Sequence, residues 1–346
     1  MQATDRKMKV AHILPSLNIG GVEIAVKRSL AQLQRHFDYR VFTVRGRGCL
    51  ECGQRSILRL LWNIIRNQWR PEVVVTSLWW AHPFGYALRF FGVRWLAFFH
   101  NSRAMHSVEN GIVHWAWRKA DGLLVDSTAT AMFLGRRISR PSTVVPYIFE
   151  PEHVVDESRK RDIDLVWVGR NSRQKRPDLA RDFVRALSRH GTRGRLAFVV
   201  GGSAPEFTKE LGAETGWDVS VFVSLEHGAV LDILARSRLY LLVSDFEGMS
   251  MSTIEAIQSG CIAVVRPVGE LPQYLDSSSA VLIEDGSAEA IDRAARAVAA
   301  LWADTATTDR LRAKARTGVH ALPHYVDTLT AALRLESVSG SAKETA

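Results

Sequence analysis

The chain has 346 residues, 47% of them hydrophobic, and a formal net charge of +9. Two domains are the natural reading of that length, and the apolar fraction excludes a disordered chain. The positive balance suits nucleic acid, an anionic membrane or a phosphorylated substrate. No zinc-finger spacing or RNP-like aromatic motif accompanies it, so nucleic acid is not an expected partner.

The first residues, MQATDRKMKV, contain no apolar segment ahead of the first strand. No secretory signal is expected, and the cytoplasm is the expected location. Lys9 to Leu14 reads as a buried strand, PSLNIGG as a turn-rich loop, and Val22 to Leu33 as a helix with Val22, Ala25, Val26, Leu30 and Leu33 on one face. Arg40 to Val44 reads as a second strand. Cys49 and Cys52 form a C-x2-C with no second pair to complete a zinc site, and three cysteines are too few for a disulfide framework. Ile57 to Ile65 reads as a helix. Strands are expected at Glu72 to Thr76, Trp95 to Phe99, Gly122 to Val125 and Thr143 to Pro146. The apolar stretch from Val73 to Phe99 is broken by His82, Pro83, Arg89 and Arg94, which argues against a spanning helix.

EPEHVVDESRKRDID reads as an interdomain linker. A second series of strands follows at Asp164 to Val168, Leu196 to Val200, Val219 to Val223, Leu239 to Val243 and Ile262 to Val265. The region after Ser287 reads as helical, His324 to Leu335 as a last helix, and residues 337–346 as a disordered polar tail. Cys261 reads as a small core residue. The β-α alternation in each half predicts an α/β protein with two doubly wound, Rossmann-like parallel sheets. The boundaries are 1–150 for the first domain and 151–322 for the second.

Chemistry concentrates in SDFEGMSMSTIEAIQSG. Glu247 is expected on a strand-to-helix loop, with Gly248 allowing close backbone approach. Ser250 is expected as N-cap of a helix carrying Glu255. Amides of Gly248, Met249, Ser250 and Met251 would then favour negative charge. In VGRNSRQKRPD, Arg170 and Lys175 follow a strand, while Arg173 and Arg176 read as exposed, Arg173 being the secondary candidate. Gly20 and Gly21 precede a helix, and His100 ends the strand WLAFF. His82 is a weaker candidate. Trp79 and Trp80 read as core aromatics that could also stack on a sugar or lipid.

The pattern Ser244, Glu247, Gly248, Glu255, Ala256 resembles the E-x7-E signature of retaining GT-B glycosyltransferases of family four, the group-1 type. Gly169, Arg170 and Lys175 match that family's G-R-x-x-x-x-K, and P-S-L-x-x-G-G-x-E its N-terminal loop. The resemblance covers residues 8 to 335. It departs from the pattern at Tyr147-Ile148, where the family has Asn-Gly, and at Glu270 and Gln273, which replace a glycine and an acid.

The resemblance implies a GT-B fold, with two domains facing a cleft and a C-terminal helix, about 323–336, crossing back onto the first domain. It implies metal-independent transfer of a hexose, with configuration kept, from a nucleotide-diphospho-sugar to a hydroxyl of a glycan or lipid-linked acceptor. Surface polysaccharide assembly in bacteria is the implied setting. Glu247 would hold the sugar, Arg170 and Lys175 the diphosphate, and Glu255 the ribose. Gly20 and Gly21 would meet diphosphate or acceptor, and His100 would lie beside donor and acceptor. No cofactor is expected, and an anionic membrane surface at the inner membrane is an expected partner. A sugar-nucleotide epimerase or a non-catalytic scaffold for nucleotide sugars or polyanions are the alternatives.

Overall fold

A computed structural model of the chain describes residues 6–17, 20–45, 54–100, 107–151, 160–302 and 304–341. These fall into two compact units, Met1–Phe149 with Pro323–Ala346, and Glu150–Leu322. Cys49, Cys52 and residues 152–159 of the expected linker lie outside the described residues.

Unit 1 runs β1 (Lys9–Leu14), α1 (Gly21–His36), β2 (Asp38–Thr43), β3 (Gln54–Ser56), α2 (Ile57–Ile65), β4 (Val73–Ser77), α3 (His82–Arg89), β5 (Arg94–Phe99), α4 (Ser107–Lys119), β6 (Gly122–Val125), α5 (Thr128–Gly135) and β7 (Thr143–Val144). The strands are parallel, in the order β3-β2-β1-β4-β5-β6-β7. Runs such as Val73-Val74-Val75 are buried along their whole length, as strands covered on both faces must be. Ile57, Leu60 and Ile64 of α2, Leu88 of α3 and Trp117 of α4 share one core cluster with Ile13, Phe42, Val74 and Ala97 of the sheet. The strand order reverses at β1, which has β2 on one side and β4 on the other. Ligands of doubly wound sheets bind beyond the carboxyl ends of the strands at such a point.

Unit 2 repeats the plan: β8 (Ile163–Arg170), α6 (Pro177–Arg189), β9 (Arg195–Gly201), α7 (Thr208–Thr215), β10 (Asp218–Val223), α8 (His227–Ala235), β11 (Ser237–Leu242), α9 (Met251–Gln258), β12 (Ile262–Val265), β13 (Val281–Leu282), α10 (Ala288–Leu301) and α11 (Thr305–His320). Its parallel order is β10-β9-β8-β11-β12-β13, so the reversal lies between β8 and β11. Trp167, Phe183, Phe198, Leu241 and Ile291 lie in its core.

Helix α12 (Tyr325–Ser341) then rejoins unit 1. The Tyr325 amide donates to the Ile148 carbonyl at 2.8 Å, and its ring lies 5.1 Å from Tyr147 and 5.3 Å from Phe149. The helix continues to Ser341 where a disordered tail from 337 is expected, and residues 342–346 lie outside the described residues. Once Tyr325, Leu329 and Leu333 anchor a helix by burial, each further residue adds a hydrogen bond without a new nucleus. Among the described residues no helix is long and apolar enough to cross a membrane.

Two buried histidines pin unit 1. His12 on β1 bonds Tyr39 Oη at 2.6 Å through Nδ1 and Ser77 Oγ at 2.8 Å through Nε2, linking β1 to β2 and β4. His82, opening α3, bonds Thr76 Oγ1 at 2.9 Å, and the Trp95 indole donates to the same oxygen at 2.7 Å. Burial lowers both imidazoles from 6.5 to about 3. Each is therefore neutral in the fold, while the unfolded chain takes up a proton below about 6.5. Their contribution is fully present above that pH and is lost as pH falls towards 3. At pH 5.5 each should cost unit 1 about 1.4 kcal/mol relative to pH 7.5. Urea unfolding at the two pH values checks this. The pH slope should shrink in His12→Gln and His82→Gln, and an unchanged slope would refute the assignment.

Candidate functional site

The loops after β8 and β11 meet at the reversal point of unit 2. After β8 the chain makes a short 3-10 turn, Arg173–Lys175, then passes through Arg176 in the left-handed region (φ 47°) before Pro177 opens α6. After β11 it runs through Ser244 to Gly248 into α9. The two loops are clamped through their backbones. The Asp245 amide donates to the Gln174 carbonyl at 2.9 Å, and Gln174 Nε2 donates to the Phe246 carbonyl at 3.0 Å. Arg176 and Arg266 both donate to Asp245 Oδ1, at 3.0 and 2.8 Å, and Arg266 also reaches the Ser244 carbonyl at 3.2 Å. Arg176 is thus a half-buried structural cation rather than the exposed one expected. Arg173 is exposed.

The clamp brings Lys175 to Glu247. Lys175 Nζ lies 2.8 Å from Glu247 Oε1, and both side chains are largely buried. A carboxylate and an ammonium so shielded from water each offset the cost of burying the other.

A third segment supports this loop from behind. Gly269 has φ +63°, and a Cβ there would stand 2.5 Å from the Gly248 carbonyl oxygen and 2.7 Å from that of Glu247. The Glu270 amide donates to the Gly248 carbonyl at 3.1 Å.

Ser250 occupies the N-cap position of α9 but does not cap it through its side chain. Its Oγ bonds Thr253 Oγ1 at 2.8 Å, while its carbonyl accepts the Thr253 and Ile254 amides. The hydroxyl is diverted because Thr253, one turn on, is buried and needs a partner. Thr253 aside, the amides of the first turn have no acceptor inside the helix, so α9 directs partial positive charge at its start. The Tyr240 hydroxyl bonds Ser252 Oγ at 2.7 Å and fixes that turn to β11.

Glu255 is buried on α9, with Oε1 2.8 Å from Nε2 of His227, the first residue of α8. His227 is absent from the sequence reading. It lies 28 residues away in the chain, and only α8–α9 packing reveals it.

Arg170 ends β8 opposite Gly201 of β9, where a Cβ on Gly201 would stand 3.2 Å from Arg170 Cγ. Its side chain thus leaves the strand on the β9 side and is exposed. The structure does not bring it into the Lys175–Glu247 pair, and its guanidinium has no bonded partner among the described residues.

The chain also holds a D-x-D triplet, Asp162-Ile163-Asp164. It lies at the amino end of β8, away from this site. Arg236 binds Asp162 at 2.6 Å and lowers it to about 2, and Arg238 reaches Asp164 at 3.3 Å.

In unit 1, Gly20 is the extended N-cap of α1 and Gly21 its first residue. Glu23 folds over them, its Oε2 standing 2.3 Å from where a Cβ on Gly20 would be. That carboxylate already meets the positive helix start, so a diphosphate is a poor fit there. His100 follows β5 and is buried. Its Nδ1 lies 2.7 Å from Tyr147 Oη, its ring 4.3 Å from that of Phe98, and Nε2 has no partner among the described residues. Burial lowers its pKa well below 6.5, helped by His12 and His82. It is neutral at pH 7. Trp79 and Trp80 stack at 4.6 Å beyond β4, with Arg45 4.1 Å above Trp80. Trp79 is partly buried and Trp80 exposed, so they are not the core aromatics expected; the preceding Leu78 has φ +67°.

Residues 149–318 match the family model for glycosyl transferases group 1. Comparison with curated proteins finds no match. Among solved structures, sucrose-phosphate synthase from Thermosynechococcus elongatus superposes with TM-score 0.73 at 17% identity, covering 98% of this chain and 100% of that one. Anabaena Alr3699/HepE in complex with UDP gives 0.71 at 16% identity, covering 95% and 100%. The α,α-trehalose 6-phosphate synthase from Burkholderia multivorans gives 0.69 at 13%, covering 98% of each. Residues 149–318 thus form a group 1 glycosyl transferase segment, and the two doubly wound units of the chain have the GT-B fold.

Two substitutions probe the clamp. Gly269→Ala should lower stability by about 2–4 kcal/mol, through left-handed strain and collision with the Glu247–Gly248 backbone. A melting temperature within one degree or so of the parent would contradict this. Lys175→Met should cost about 3–5 kcal/mol by stranding Glu247, and adding Glu247→Gln should recover part of it. Simple additivity in that cycle would mean the pair is not coupled.

Proposed function

We propose that the chain is a retaining hexosyltransferase that uses a nucleotide-diphospho-sugar and needs no metal. Its acceptor would be a hydroxyl on a glycan or lipid-linked saccharide in bacterial surface polysaccharide assembly. The observation that carries this is the buried Lys175–Glu247 pair at the reversal point of unit 2, beside the start of α9.

Breaking the bond from the anomeric carbon to the diphosphate puts negative charge on the leaving group and positive charge on the sugar. Lys175, the first-turn amides of α9 and Arg170 suit the former, and Glu247 the latter. Lys175 would divide its bonds between Glu247 and the arriving diphosphate. Glu255, oriented by His227, would take the ribose hydroxyls. The new bond forms on the face the diphosphate leaves, and the acceptor proton passes to a diphosphate oxygen. His100 would then serve as a neutral hydrogen-bonding group, not a base. Gly20 and Gly21, covered by Glu23, suit an uncharged acceptor better than a diphosphate. A lipid-linked acceptor would bring the protein from the cytoplasm to an anionic inner-membrane surface, for which a net charge of +9 is apt.

Thermal unfolding with UDP, GDP, ADP, CMP and dTDP, in EDTA, tests the donor site. UDP is the first choice because the Anabaena HepE structure is a UDP complex. At a hundredfold excess over Kd it should stabilise by about 2.7 kcal/mol, and Lys175→Ala should abolish the shift. In transfer assays Glu247→Gln should lower kcat by about 10²–10³, and NMR of the product should show the donor's anomeric configuration. No shift with any nucleotide would overturn the reading. Binding without transfer would favour a scaffold, and an isomerised donor an epimerase.

A further inference from the structure

We propose that the outer face of α2, continued by the turn after α3, docks on an anionic lipid bilayer. Helix α2 is apolar on two faces. Ile57, Leu60 and Ile64 enter the core, while Leu58, Trp62 and Ile65 point outward at 73%, 54% and 72% exposure. Their spacing of four and three residues makes one stripe. Among the described residues the Arg66 guanidinium lies over the Trp62 ring, and the stripe otherwise remains exposed. Phe90 is 80% exposed and Phe91 43%. An Arg70 guanidinium nitrogen donates to the Phe91 carbonyl, which ties this turn to the segment that ends α2. α2 and α3 cover the same face of the sheet, since Leu60, Ile64 and Leu88 share one cluster. Both apolar sets therefore protrude from one layer.

Charge selects the occupant. From Gln54 to Pro71 there are four arginines, Arg55, Arg59, Arg66 and Arg70, and no acid. Among the described residues Arg59 and Arg66 pair with no carboxylate, and Arg66 lies 4.4 Å over the Trp62 ring. A helix that offers aliphatic and indole groups beside unpaired guanidinium groups fits an interface where acyl chains lie under phosphate headgroups. Three large apolar side chains in one exposed stripe favour a partner that supplies hydrocarbon, and the flanking arginines favour one that supplies phosphates as well. The inference rests on the proposed function only in making a membrane-borne acceptor useful.

The test is co-sedimentation of the full chain at low salt with vesicles of phosphatidylcholine plus phosphatidylglycerol, and of phosphatidylcholine alone. The parent should pellet with the anionic vesicles only. Leu58→Ser/Trp62→Ser/Ile65→Ser should weaken this by roughly tenfold or more, as should Arg59→Glu/Arg66→Glu. Both variants should keep the parent's melting temperature and nucleotide response, so that loss of docking is separable from loss of fold or of the donor site. Equal pelleting of parent and triple variant would overturn the proposal. So would a parent that ignores lipid but dimerises through a contact the triple variant abolishes.

Discussion

Withdrawing a carboxylate from water is costly unless a partner is withdrawn with it, and unit 2 is arranged around that constraint. Glu247 is buried with Lys175 held 2.8 Å away. Lys175 is there because the loop after β8 is fixed to the loop after β11 by backbone and side-chain bonds at Gln174, Asp245 and Phe246. Asp245 in turn accepts from two arginines of different loops, Arg176 and Arg266. The clamp is therefore three-sided, with Gly269 admitting the third segment by having no side chain. Such preorganisation holds charges in place before any ligand arrives, so they need not reorganise during a reaction.

Unit 1 solves a related problem without charge. His12, His82 and His100 are buried near one another, and burial keeps each neutral. His12 and His82 spend their nitrogens on hydroxyls of neighbouring strands. His100 spends only Nδ1, on Tyr147, whose ring in turn supports Tyr325 of α12. The returning helix is thereby part of what positions His100.

Much of the fold was legible in the sequence because parallel strands buried on both faces are written as unbroken apolar runs. Lys9–Leu14, Gly122–Val125 and Ile262–Val265 are strands residue for residue, and Ile57–Ile65 is a helix with the same bounds. Strand β3 is only three residues long and leaves no such run. Helix α3 opens at His82-Pro83 and is crowded with aromatic and basic residues, so its period is hidden. In the site, Glu247, Glu255 and Lys175 were legible as a motif. Their partners were not. His227 and Gly269 become visible only when α8 and the 268–270 loop pack against α9 and its preceding loop, since neither residue carries a local signal. Arg176 looked like one more exposed cation in a basic loop, and its left-handed backbone and link to Asp245 follow from the crossover.

The two units also divide the basic residues by use. In unit 2 many of the arginines are answered by acids: Arg176 by Asp178 and Asp245, Arg236 by Asp162, Arg238 by Asp164. Those cations contribute to structure and leave little net field. Along α2 of unit 1, Arg59 and Arg66 pair with no carboxylate among the described residues, and they stand beside apolar side chains that the core does not need. A formal charge of +9 is then a local property more than a global one. Unneutralised cations steer and hold anions over roughly a Debye length of about 8–10 Å, whereas paired ones do not. Where a basic chain leaves its cations unpaired is thus more informative about its partner than how many it carries.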